Sequence, residues 1–153
     1  MPRETQDERE RRAARIARLL ANAYPDAHTA LRFRNPFELL IATILSAQCT
    51  DKKVNEVTSV LFRDYATPAA LADADPAAIE AIIRPTGFYR QKAKSIQSAS
   101  RDLAERFHGR VPAVLDDLVS LRGVARKTAN VVLGNAFGIP GLAVDTHMQR
   151  VNR

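Results

Sequence analysis

At 153 residues, 46% of them hydrophobic, the chain is long and apolar enough to build one packed domain, which excludes a disordered or fibrous polypeptide. Its 23 Lys and Arg against 17 Asp and Glu give a net charge of +6, a balance that favours a polyanionic partner, nucleic acid first, through counterion release. A single cysteine, Cys49, excludes an internal disulfide framework and cannot hold a metal alone.

No apolar run approaches the roughly 20 residues of a membrane span, and Met1-Pro2-Arg3-Glu4 lacks the apolar segment of a secretory signal. A soluble cytoplasmic protein is expected, nucleoid-associated if bacterial, with no membrane partner. Much of the positive charge stands in the run Arg9, Arg11, Arg12, Arg15 and Arg18, which alternates with Glu8 and Glu10 as a solvated helix face would.

From Asp7 to Ala23 the apolar residues Ala13, Ile16, Ala17, Leu19 and Leu20 recur at helical spacing until Pro25. Pro36 opens a second helix to Gln48, apolar on nearly all sides and therefore the expected buried centre. Asp51 is read as the cap of a third, Lys52 to Tyr65, burying Val54, Val57, Leu61 and Phe62. Thr67 before Pro68 and Asp75 before Pro76 start two short helices, and Gly87 closes that region. A longer helix, about Tyr89 to His108, buries Ile96, Ala99, Leu103 and Phe107 and stops at Gly109. Another starts near Ala113, with Leu115, Leu118, Val119 and Leu121 on its apolar face, and the last runs from Arg126 to Phe137. Only Gly141 to Val144 reads as extended, so the chain is expected to be all-α.

Between the last two helices lies Leu121-Arg122-Gly123-Val124-Ala125-Arg126-Lys127-Thr128-Ala129. Gly123 can take positive φ at little cost, and the N–H groups around residues 123 to 126 could then face an anion at the start of a helix, where the macrodipole favours it. A DNA phosphate fits, and an ordinary αα-hairpin whose glycine caps a helix fits the pattern equally well. Lys127 follows beside Arg126, in the positive surroundings an amine nucleophile needs, although a lone lysine near a helix start is usually a solvated surface residue. Asp145, in Val144-Asp145-Thr146-His147, reads singly as an N-cap.

Taken together these segments resemble the endonuclease III family of base-excision DNA glycosylases, whose motif L-P-G-V-G-R-K-T-A is followed by V-D-T-H. Lys127 falls on that family's Schiff-base lysine and Asp145 on its catalytic aspartate. Arg122 replaces the usual proline and could add a phosphate contact. Ala125 replaces the second glycine and would be strained if that position needs positive φ. The resemblance extends to Pro36-Phe37-Glu38-Leu39-Leu40-Ile41-Ala42, to Leu45-Ser46-Ala47-Gln48-Cys49-Thr50-Asp51 and to Gly87-Phe88-Tyr89-Arg90-Gln91-Lys92-Ala93. It assigns Gln48 to the space left by a flipped-out nucleotide and Phe88 to the apolar wedge, where leucine is commoner. Without the resemblance, Phe88 reads as a core aromatic and Gln48 as a helix-end polar residue.

The resemblance implies a helix-hairpin-helix glycosylase fold. A six-helix barrel domain would span residues 29–141, with its helix-hairpin-helix at about 113–137. Residues 1–28 would be the first helix of a second domain, and 142–153 the aspartate loop and the start of that domain's remainder. The family continues past V-D-T-H to a four-cysteine loop holding a 4Fe–4S cluster. This chain, with one cysteine, is expected to hold no metal and to act as an incomplete form. The implied activity is excision of oxidised pyrimidines from double-stranded DNA followed by cleavage at the abasic site, by a monomer. Relatives that act on mismatched adenine or thymine lack the lysine, so Lys127 argues against them while a glycosylase with mismatch base preference stays an alternative within the family; a non-catalytic DNA-binding hairpin module is the alternative of a different class.

Overall fold

Each of the first five helices opens on a polar side chain that accepts a hydrogen bond from an orphan N–H of the first turn. The computed structural model describes residues 4–144 and Arg150. In chain order its helices are α1 (Gln6–Ala23), α2 (Pro36–Leu45), α3 (Asp51–Asp64), α4 (Pro68–Ala72), α5 (Pro76–Ile83), α6 (Tyr89–Arg106), α7 (Leu115–Val119) and α8 (Arg126–Phe137). A 3-10 turn, Arg84–Thr86, joins α5 to α6. No strand occurs among the described residues, 141–144 included, so the all-α expectation holds there. None of these helices is long and apolar enough to cross a membrane.

Helix α2 is the centre because it has no polar face to offer water. Pro36 presets φ at its first position, the Asn35 side chain accepts from Glu38 N at 2.9 Å, and eight of its ten residues are buried. Its one buried charge, Glu38, is compensated: the carboxylate accepts from the Arg34 backbone N–H and from its guanidinium. Helix α8 packs along α2, α6 packs on α4 and α5, and Phe37 meets Phe62 of α3 at 6.2 Å between ring centroids. Leu39, Leu40, Leu61, Leu71, Ile79, Ile96, Leu103 and Leu118 bring six of these helices into one core.

Several boundaries differ from the sequence reading. Helix α2 stops at Leu45 rather than Gln48, because Ser46 Oγ donates back to Thr43 O and the chain turns, with Gln48 at φ +51°. Thr50, not Asp51, caps α3, its hydroxyl accepting from Lys53 N, and Asp51 becomes the first helical residue. Helix α6 ends at Arg106, where Gly109 N donates to Leu103 O, and Phe107 is only half-buried. Helix α7 is a short turn from Leu115, and Val119 is exposed. Helix α1 buries none of its side chains, leaving Ile16, Leu19 and Leu20 in the open.

Candidate DNA-binding and catalytic site

Two helices begin without a side-chain cap beside one depression, and that depression gathers residues from three separate stretches of sequence. Phe88 is the N-cap residue of α6 and Ala125 that of α8, and neither supplies a side-chain acceptor for the first-turn N–H groups. The depression, about 310 Å³, is lined by Ile44, Ala47, Gln48, Phe88, Gln91, Lys92, Ser95 and Gly123. Gln48, Phe88 and Gly123, assigned separately in the sequence, thus share one surface.

The hairpin is built by two apolar anchors and one glycine. Leu121 and Val124 are buried on either side of Gly123, and Val124 N donates to Leu121 O to close the turn. Gly123 stands at φ +79°, and a Cβ there would lie 2.7 Å from Ser95 Cβ. Both the dihedral and the close approach to α6 therefore require glycine. Two expectations change. Val124 contributes neither its side chain, which is core, nor its N–H, which is taken, to a phosphate site. Ala125 adopts φ −83°, so the second glycine of the usual motif is not needed for backbone freedom and no strain arises. Arg126 and Lys127 follow as the first two residues of α8, both exposed. Arg122 is exposed too, but lines a different depression with Lys94, Arg101, Asp73, Asp102 and Glu105. Asp145 lies outside the described residues.

In the same depression, Gln48 and Phe88 both hold left-handed backbone without being glycine, at φ +51° and +48°. Such conformations are sparsely populated for L-residues and gather at functional sites. Phe88 is 70% exposed, which excludes the core-aromatic reading and leaves a large apolar side chain standing in water. Next to it, Tyr89 carries the Arg84 and Arg90 guanidinium groups over its ring at 5.5 and 5.2 Å.

Sequence reading passed over Lys92. It is buried, and its ammonium donates to Leu45 O at 2.9 Å and Thr86 O at 2.8 Å. Burial pushes its proton affinity below the ordinary lysine range, and Cys49 nearby works the other way. The signal available in the sequence was a lysine on the buried side of α6, in register with Ala93, Ile96 and Ala99.

Charge is distributed differently from the impression of an arginine-rich amino terminus. Residues 1–28 hold six basic and five acidic side chains, a net +1. Residues 81–101 hold five basic side chains and 118–144 hold three, with no acidic residue in either, so these two stretches carry +8 and the rest of the chain −2. They supply Phe88, Lys92, Ser95 and Gly123 to the depression. The positive potential belongs to the stretches that build this surface.

Residues 41–153 match the HhH-GPD superfamily base excision DNA repair protein family. The chain belongs to that superfamily. It is 51% identical over 146 residues to endonuclease III of Synechocystis sp., covering 95% of this chain and 67% of the relative. To endonuclease III of Bacillus subtilis it is 46% identical over 134 residues, covering 88% and 61%. It therefore spans about two thirds of the length of these relatives. Among solved structures, a trapped endonuclease III–DNA covalent intermediate superposes with a TM-score of 0.84 at 48% identity, over 94% of this chain and 67% of that one. The superfamily fold is the all-helical one described above.

The endonuclease III relatives imply a 4Fe–4S cluster, and the residues present do not fit one. Such a cluster takes four thiolates. Cys49 is the one cysteine, and among the described residues no three His, Cys, Asp or Glu side chains converge on a point.

Proposed function

We propose that the protein is a base-excision DNA N-glycosylase with abasic-site lyase activity, acting on oxidised pyrimidines in duplex DNA. The observation that carries this reading is the convergence of Gln48, Phe88 and Gly123 on one depression in a chain of this superfamily. The sugar carbon under attack is not accessible while its base is stacked, so the nucleotide must leave the duplex. An exposed aromatic and an exposed amide on two turns of one depression are suited to fill the gap. The uncapped start of α8, preceded by Gly123 and flanked by Arg122 and Arg126, is suited to hold a backbone phosphate without reading sequence.

Lys127 is the proposed nucleophile. Its Nζ lone pair attacks C1′, the glycosidic C–N bond breaks, and the base leaves with the bonding electrons and a proton. The sugar ring opens as O4′ takes a proton, leaving an iminium between Nζ and C1′. Loss of a C2′ proton then expels the 3′ phosphate and cuts the strand. Asp145 is assigned to receive the lysine proton and to stabilise positive charge developing on the sugar. A covalent intermediate trapped in a relative at 48% identity supports this chemistry.

The test is reductive trapping. With borohydride, duplex DNA bearing an abasic site should become covalently attached to the protein, and Lys127→Gln should lose the adduct completely while duplex affinity stays within about threefold. An adduct that persists in Lys127→Gln would remove the lysine from its role.

A further inference from the structure

We infer that Lys92 is a positioning residue for DNA entry: its buried ammonium clamps the turn carrying Gln48 to the turn carrying Phe88, presetting both side chains for the gap in the duplex. The inference rests on the glycosylase reading above.

Lys92 Nζ joins Leu45 O, the last residue of α2, to Thr86 O, the last residue of the 3-10 turn. These carbonyls lie 47 and 6 residues from it in sequence, and each precedes by two or three residues a side chain on the rim. Carbonyls at a helix end are orphan acceptors at the negative pole of the peptide dipoles, where a cation binds well. No other side chain donates to either carbonyl among the described residues.

The left-handed conformations of Gln48 and Phe88 need such a tie. A non-glycine residue stays in that region only when its surroundings over-determine it. Inside the first turn Cys49 N donates to Ser46 O and Ser46 Oγ to Thr43 O, inside the second Gly87 N donates to Arg84 O and Thr86 Oγ1 to Ile83 O, and none of these bonds spans to the other turn. Lys92 does span them, and it lines the same depression as Gln48 and Phe88. Burying an ammonium is costly unless its donors are used, and two of three are used in this way. The clamp thus couples the two gap-filling residues through a group that contacts neither the lesion nor a phosphate in order to act.

The test uses a duplex with a tetrahydrofuran abasic analogue opposite 2-aminopurine, beside the same duplex without the gap. Lys92→Met keeps the stem and removes the charge and all donors. It should lower affinity for the gapped duplex on the order of tenfold, abolish the 2-aminopurine fluorescence change, and leave affinity for the intact duplex within about twofold. Amide exchange at Cys49 and Gly87 should accelerate together, on the order of tenfold, while Leu61 in α3 keeps its protection. Equal losses on both duplexes, or unaltered exchange at either amide, overturn the clamp. Should Lys92→Met fail to fold, Lys92→Arg decides, since it keeps a buried cation with donors for both carbonyls. A folded Arg variant should keep the gapped-duplex preference within about threefold, and its loss with both amides still protected overturns the clamp. If the unsubstituted protein, Gln48→Ala and Phe88→Ala all bind the two duplexes alike, the glycosylase reading itself fails and the clamp with it. A preference that needs Gln48 and Phe88 but ignores Lys92 refutes the clamp alone.

Discussion

Leu121 and Val124 hold the hairpin by burying aliphatic side chains on either side of a glycine, whereas the turns carrying Gln48 and Phe88 are tied together by one buried ammonium that donates to a backbone carbonyl of each. The two rims of the depression thus reach positive φ by different routes. The hairpin uses the residue for which that conformation is cheap; the other turns impose it on residues for which it is not. The glycine solution is intolerant of a new side chain, because α6 closes on it at Ser95. A tertiary solution tolerates many side chains at the turn and depends on one remote residue.

The largest effect expected from this contrast is at the hairpin. Gly123→Val combines a forbidden dihedral with a collision against Ser95, for a loss of roughly 2–5 kcal/mol in urea unfolding. In variants that still fold, affinity should fall alike for damaged and undamaged duplex. Ser95→Gly should recover part of the smaller loss caused by Gly123→Ala, and if it recovers nothing, close packing on α6 does not hold the hairpin.

Phe88→Gly should behave in the opposite way. It removes an exposed benzyl group and relaxes left-handed strain, so stability should stay within about 1 kcal/mol of the unsubstituted protein in thermal melts. Preference for a gapped duplex should nonetheless disappear. A large destabilisation would mean that Phe88 is structural, and the contrast between the rims would collapse.

The smallest effect is one of pH. Because burial lowers the proton affinity of Lys92, the unfolded chain binds this proton more tightly, and the group's contribution to stability rises as pH climbs towards 10.5. The unfolding free energy of the protein minus that of Lys92→Met should therefore increase from neutral to alkaline pH. A difference that is flat, or that falls with pH, would show that the ammonium is not desolvated in the folded protein.

The sequence announced its helices through caps and prolines: Asn35 with Pro36, Thr67 with Pro68 and Asp75 with Pro76 each start one where expected. Boundary errors arose where two signals competed for one turn. Thr50 and Asp51 are both good caps, and only the path of the chain out of α2 selects the threonine. At Gln48 the apolar run ends in residues that helices accept, and the turn back through Ser46 ended α2 early.

Gly123 and the all-helical architecture were legible because they rest on local chemistry: positive φ needs glycine, orphan helix N–H groups need an acceptor, and periodicity needs only neighbours in sequence. The exposure of Phe88, the burial of Val124 and the work of Lys92 were not. Val124 and Phe88 are both apolar residues beside a glycine, and one is core while the other stands in water. Which of them is buried depends on what packs above it, and the partners of Lys92 lie at the ends of other elements. Burial and long-range hydrogen bonds are properties of the assembled helices, and so only the tertiary structure decided them.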